Sequence, residues 1–232
     1  MTSHNKPGPV TEKAEETRSR ILNAALDLFR RKGFDQATLR EIAAGAGVSL
    51  GNAYYYFDSK EALVMAFYSR ASEEMAPLIE TALAGAKGFE KRVAAILSVK
   101  FEYFGPNRAF LGALLRHGAD PHNPLSPFGE ETRHIRERDM EYFAKALEAS
   151  PLDVPKDLTH ELPKLLWLYQ MGMILFWIYD RSAGQRRTGR LREKSLALMA
   201  TALKLASFPL LRPLRRKIVE LVRIAEGEEA DA

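Results

Sequence analysis

Asn52, the consecutive tyrosines Tyr54, Tyr55 and Tyr56, and Lys60 put a carboxamide, three phenols and an ammonium on one short stretch. All of these groups donate hydrogen bonds, and none is an activated nucleophile as it stands. Such a set suits contact with an acceptor-rich surface better than bond making. Consecutive residues on a helix point ~100° apart, so the three phenols would fan over about 200°. They cannot all share one core face. Phe57, which has no donor, is read as core.

Elsewhere the chemistry is sparse. His117, Asp120 and His122 form a loose H-x-x-D-x-H among prolines and an asparagine. The spacing fits neither a helical nor a finger-type site, so a solvated loop is expected, with no metal and no cofactor. The sequence has no nucleophile elbow, phosphate loop, dinucleotide glycine motif or paired-histidine zinc motif, and no enzyme activity is predicted. The absence of cysteine removes disulfide scaffolds and thiolate metal sites and suits a reducing compartment. The first sixteen residues lack the apolar run of a secretory leader, which points to a cytoplasmic chain. The apolar stretch Leu165 to Tyr179 would span roughly 22 Å as a helix, short of the ~30 Å hydrocarbon core. With Gln170 inside it, that stretch is read as a buried helix and no membrane contact is assigned to it.

The elements that must position these groups read as helices throughout, and the fold class is all-α. Ile21, Leu22, Ala25, Leu28 and Phe29 follow helical spacing, with Gly33 as the stop and Phe34 as its hydrophobic seal. Thr38 and Glu41 form a capping box for a short helix ended by Gly45 and Gly47. Ser49 caps another short helix through Phe57. A longer one then runs from Lys60 to about Pro77, where a bend or stop is expected. After a glycine-containing linker, helices are predicted over 89–104, 107–117, 127–149, 158–181, 191–207 and 211–225. Strand and hairpin signals are nearly absent. The expected divisions are a flexible arm at 1–16, a first domain at 17–62, a second at 63–225 and an acidic tail at 226–232.

Residues 38 to 57 have the layout of a helix-turn-helix. In that arrangement the first helix crosses the DNA backbone and the second puts its N-terminal residues into the major groove. Apolar Leu39, Ile42, Ala43, Ala46 and Val48 would hold the pair together.

The surrounding residues carry more detail: A-x-x-L-F-x-x-x-G-F at 25–34, T-x-x-x-I-A-x-x-A-G-V-S at 38–49 and G-x-x-Y-x-Y-F-x-S-K-E-x-L at 51–63. This span resembles the N-terminal domain of TetR-family transcriptional regulators. The resemblance implies a homodimer with two DNA heads, a near-palindromic double-stranded operator and a divergent helical domain that dimerises and binds a small inducer. It implies phosphate contacts at Thr38, Tyr54, Tyr55, Tyr56 and Lys60, with Arg40 near the backbone or groove. The groove-reading positions fall on Leu50, Gly51 and Asn52, and Ser49 caps the helix that carries them. Asn52 could pair with adenine, and Gly51 would let the backbone approach a base edge. Leu50 departs from the polar or basic residue common there. It would touch a thymine methyl or read nothing.

The second region is rich in aromatics. The predicted helix at 158–181 is apolar around most of its circumference and needs burial on two sides. The resemblance supplies a reason, a dimer interface on one side and a cavity on the other. Candidate ligand residues are Phe101, Phe104, Leu111, Leu115, Phe128, Trp167, Gln170, Met171, Ile174 and Trp177, with His117 and His134 as polar partners. Such a set suits a largely apolar or aromatic ligand.

Between Arg181 and Lys217 the only acid among many cations is Glu193. The part at 185–194 is read as the solvated connection between the two dimer-forming helices. The last amphipathic helix is read as packing on the domain rather than lying on a membrane surface, and no membrane partner is expected. The expected function is a DNA-binding regulator, read as a repressor released by its ligand. A same-fold factor governed by a protein partner, or by nothing, is the alternative, and activation stays open.

Overall fold

The computed structural model describes residues 12–225 apart from 119, 121 and 153. The expected arm therefore lies largely, and the acidic tail wholly, outside the described residues. Eleven α-helices succeed one another among them: α1 (Glu12–Lys32), α2 (Leu39–Ala46), α3 (Leu50–Tyr56), α4 (Lys60–Gly85), α5 (Phe89–Phe104), α6 (Arg108–Gly118), α7 (Arg133–Glu148), α8 (Lys156–Thr159), α9 (Leu162–Tyr179), α10 (Arg186–Ala206) and α11 (Arg212–Ala225). No strand occurs among the described residues. The all-α expectation holds.

Two compact units divide the chain. The first ends at Arg70 and takes back Asn107–Thr132; the second joins Ala71–Pro106 to the chain from Arg133 onward. The expected division between residues 62 and 63 therefore falls inside α4, which contributes to both units. The first helix also includes Glu12 to Glu16, which the expectation assigned to the arm. Four further boundaries differ from the expectation. α10 starts at Arg186 rather than Leu191, so most of 185–194, read as a connection, is the opening of that helix. α4 runs through Pro77 to Gly85, although an interior proline costs about 3 kcal/mol. Met75, Ile79 and Leu83 are buried around it, and burial of each contributes about 1.5–3 kcal/mol, enough to carry the helix onward. α7 starts at Arg133 rather than Pro127, because 126–132 is a turn in which Thr132 Oγ1 donates to the Ser126 carbonyl at 2.6 Å. The expected helix at 158–181 is two pieces, α8 and α9.

In the first unit, Ile21, Leu22, Ala25, Leu26 and Phe29 form the buried stripe of α1. Phe29 stacks on Phe110 of α6 at 5.0 Å and meets Phe34 edge-on at 5.3 Å. Gly33 has φ +87°, and Phe34 behind it is buried, the stop and seal that the sequence predicts. The second unit buries a long cluster from α4, α5, α7, α9 and α10, including Phe89, Val93, Ile96, Phe143, Leu166, Trp167 and Leu196.

Asp180 organises the turn from α9 into α10. Its carboxylate accepts from the Ser182 N–H at 2.9 Å and from the Thr188 N–H and hydroxyl at 2.9 and 2.8 Å. Burial alone would push this carboxyl up; the Ser182 and Thr188 hydrogen bonds outweigh it and hold the group well below the usual carboxylate range. Within the second unit, α11 is tied to its neighbours by Arg215, which donates to Asp157 at 3.0 Å and to the Ala206 carbonyl. No described helix is long and apolar enough to cross a membrane.

The capping box is present. Glu41 N–H donates to Thr38 Oγ1 at 3.3 Å, and Thr38 N–H donates to Glu41 Oε2 at 3.1 Å. Lys32 donates to Glu41 Oε1 at 2.6 Å. The Lys32 hydrogen bond, followed by that from Thr38, lowers the Glu41 carboxyl from the usual 4.5 to about 2. A lowered carboxyl stabilises the fold above its unfolded value and loses that contribution as pH falls through the folded one. The window is thus from 4.5 down to about 2. Glu41→Gln is expected to flatten the dependence of melting temperature on pH across that window, as read by circular dichroism. Gly47 closes α2 at φ +66° with nothing within 4 Å of an added Cβ. Gly47→Ala should therefore cost only the backbone term, roughly 1–2 kcal/mol in urea unfolding.

Candidate functional site

α2 and α3 have eight and seven residues, too short to persist alone. Their angle is set by what they bury. Ile42, Ala43 and Ala46 of α2, with Ala53 of α3 and Phe57 after it, are buried, and Arg18 of α1 lies 4.9 Å over the Phe57 ring. Small residues permit the close approach: a Cβ on Gly45 would stand 3.6 Å from the Cβ of Ala24 in α1. At the turn, the Val48 N–H donates to the Ala43 carbonyl at 3.0 Å and Gly47 takes the left-handed conformation. Ser49 Oγ then accepts from the Asn52 N–H at 3.1 Å and starts α3. Ser49 is therefore a cap whose hydroxyl oxygen is engaged as an acceptor.

Gly51 and Asn52 are exposed and Leu50 is half-buried, which leaves the start of α3 open to an incoming surface. A Cβ on Gly51 would meet nothing within 4 Å. The three tyrosines diverge as helical spacing requires. Tyr54 is 50% exposed and Tyr55 82%, while Tyr56 is half-buried and meets the Tyr55 ring edge-on at 5.2 Å. Thr38 and Arg40 are exposed at the start of α2. Lys60 is more constrained than its sequence position suggests. Its ammonium donates to the carbonyls of Phe34 and Asp35 at 2.8 and 3.2 Å and lies 4.7 Å over the Phe34 ring. Two of its three hydrogens are used on the turn that follows α1, which leaves one for another acceptor.

The residues expected to line a ligand site divide between the units. Leu111, Leu115, His117 and Phe128 belong to the first. Leu111 is buried and Leu115 half-buried on α6, the His117 side chain lies outside the described residues, and Phe128 is exposed in the turn before α7. His134 is exposed at the start of α7. Both side chains are thus exposed, Phe128 in the 126–132 turn and His134 in the first turn of α7.

In the second unit, Phe101 of α5 stacks on Trp177 of α9 at 5.1 Å and 18°. Phe104, Met171 and Ile174 are half-buried, and Phe104 and Met171 pack against the core. Trp167 is buried beneath Arg136, whose guanidinium lies 5.7 Å from its ring. Gln170 is 1% exposed and donates from Nε2 to Asp139 Oδ2 at 2.8 Å. Asp139 in turn takes both its oxygens to Lys100 Nζ, at 2.7 and 2.8 Å.

Sequence reasoning missed Lys100, Asp139 and Arg136. A signal for the first two was present. Lys100 comes after Val93, Ile96 and Leu97 on the buried stripe of α5, and Asp139 precedes Tyr142, Phe143 and Ala146 on that of α7. Opposite charges on two buried faces call for each other.

Both units resemble known proteins. A profile described as "Tetracyclin repressor-like, C-terminal domain" matches residues 92–222, more than half of the chain, and one for "Bacterial regulatory proteins, tetR family" matches 21–67. The regulator UidR of Escherichia coli K12 is 33% identical over 105 residues, 45% of this chain and 53% of UidR. YerO of Bacillus subtilis is 34% identical over 111 residues, 47% of this chain and 38% of its own length. The matched stretch thus spans about half the length of these relatives, or less. Among solved structures, a TetR regulator from Nitrosomonas europaea has TM-score 0.64 at 20% identity, covering 81% of this chain and 99% of its own. The SmeT–triclosan complex has TM-score 0.56 at 18% identity, covering 79% of this chain and 91% of its own. The structural likenesses carry the fold, and the profile that spans most of the second unit carries the kinship. On that ground the chain belongs to the TetR family of bacterial regulatory proteins, which bind DNA to control transcription.

Proposed function

We propose that this DNA-binding regulator is a homodimeric repressor whose first unit reads a near-palindromic operator and whose second binds a small, largely apolar or aromatic effector. The observation that carries the DNA half is the donor array on α3, with exposed Tyr54 and Tyr55 beside Gly51 and Asn52. Phenols donating to phosphates anchor the helix without specifying sequence, and Asn52 supplies the base edge contact. The effector half is supported by the Phe101–Trp177 stack and the buried Trp167. SmeT, a structural neighbour, is seen in complex with triclosan.

Dimerisation is supported by apolar side chains left at the surface of two long helices. α9 exposes Leu168, Leu175 and Tyr179, with Gly172 among them, and α10 exposes Leu191, Leu198 and Leu205 at heptad spacing. A second copy would cover both rows as a four-helix bundle. Release requires that the effector bind better to a state whose two α3 helices no longer match successive major grooves, ~34–36 Å apart.

Titrating candidate aromatic compounds into the protein–operator complex tests the repressor reading. Operator affinity should fall with a matching change in tryptophan fluorescence, and an affinity indifferent to every compound would sink it. Tyr55→Phe is expected to weaken operator binding by about 1 kcal/mol with the preferred sequence unchanged in a binding-site selection. A shifted base preference would remove Tyr55 from the phosphate role. Leu175→Glu combined with Leu198→Glu should give monomers of native helicity in sedimentation. A dimer that survives both would place the interface elsewhere.

A further inference from the structure

Lys100, Asp139 and Gln170 join three helices, α5, α7 and α9, by charged and polar hydrogen bonds inside an apolar core. They are 4%, 8% and 1% exposed. A network kept only for structure would be complete, because a half-satisfied buried network is worse than an apolar one. This one is not complete: Gln170 Oε1 is buried and has no hydrogen-bond partner. Buried carbonyls are almost always paired, so an acceptor left open calls for a donor from outside the chain.

The orientation of that acceptor is fixed. Lys100 donates to both oxygens of Asp139, which holds the carboxylate in place. The carboxylate accepts from the Gln170 amide nitrogen. Turning the amide over would bring its carbonyl against the carboxylate, acceptor to acceptor. The ion pair thus forces Gln170 to present oxygen, not nitrogen, on its other side. The pair is also neutral as a unit, so it offers no net charge to an ionic ligand. Both tryptophans are on the same helix as Gln170. Trp167 lies about one turn before Gln170, and Trp177, stacked on Phe101, about two turns after it.

Resting on the effector reading above, we propose that Gln170 Oε1 is the polar anchor of the effector site. The effector is then a neutral aromatic compound that donates a hydrogen bond, through a phenolic hydroxyl or an N–H. Asp139 and Lys100 act as positioning residues that keep the acceptor turned toward it.

The test uses the full-length protein and matched probes: 4-chlorophenol and 2-naphthol against their methyl ethers, which keep the ring and lose the donor. Trp167 and Trp177 are the only tryptophans in the chain, so intrinsic fluorescence reports on this region, with thermal melting as a second readout. The phenols are expected to bind, and the ethers to bind about tenfold more weakly or worse. Gln170→Met should bring each pair to similar affinity. The phenol-to-ether ratio in the unaltered protein needs no variant, so a poorly folded Gln170→Met leaves the test intact. Ethers that bind as well as phenols, or a protein that binds neither, overturn the proposal; in the first case a buried water satisfies Gln170. Operator binding separates this idea from the broader reading. If phenols bind preferentially but the operator is not released, the anchor stands and effector-driven release fails. If phenols and ethers release the operator equally, release stands and the anchor fails.

Discussion

A helix of seven or eight residues does not hold its shape in water, and α2 and α3 are of that length. The placement of the α3 side chains therefore depends on the apolar contacts that clamp α2 and α3 onto α1. Ile42, Ala43 and Ala53 are almost completely buried, and the Phe29–Phe34–Phe110 group stiffens the region beneath them. Hydrogen bonds then set the details. Thr38 and Glu41 start α2, Gly47 turns the chain and Ser49 starts α3. Because these groups are spent on the backbone, the side chains that remain at the surface of α3 are free to meet a partner.

Lys60 shows how closely the frame and the interface are connected. Its ammonium ties down the turn after α1 and rests on Phe34, while its position at the head of α4 is the one the family resemblance gives to a phosphate contact. One cation can serve both, since a carbonyl pair and a phosphate oxygen ask for different hydrogens of the same group. The second unit uses polar groups differently. There the Lys100–Asp139–Gln170 chain sits in the core, where low dielectric strengthens each bond and raises the cost of the one left open.

Much of the first unit was legible because its signals are local. A glycine that stops a helix, a threonine with a glutamate three residues on, and a phenylalanine behind a glycine each act on neighbours within a turn or two. The same locality explains the failures. The expectation of a break at Pro77 weighed a local penalty against nothing, while the structure weighs it against Met75, Ile79 and Leu83 buried in the second unit. The expectation that α7 begins at Pro127 missed a turn tied by Thr132 to Ser126, a bond made possible by the loop's path and not by any periodicity.

The sequence by itself determined the all-helical class, the capped helix-turn-helix and the donor-rich face of α3, because each arises from residue types at short fixed spacings. Tertiary structure alone decided that α6 returns to the first unit, that Lys60 is already half engaged, and that Lys100 and Asp139 meet under Gln170. Those three facts join residues 25 or more positions apart in the chain. Their partners are chosen by which helix faces pack together, and helical periodicity marks a face as buried without naming what it is buried against.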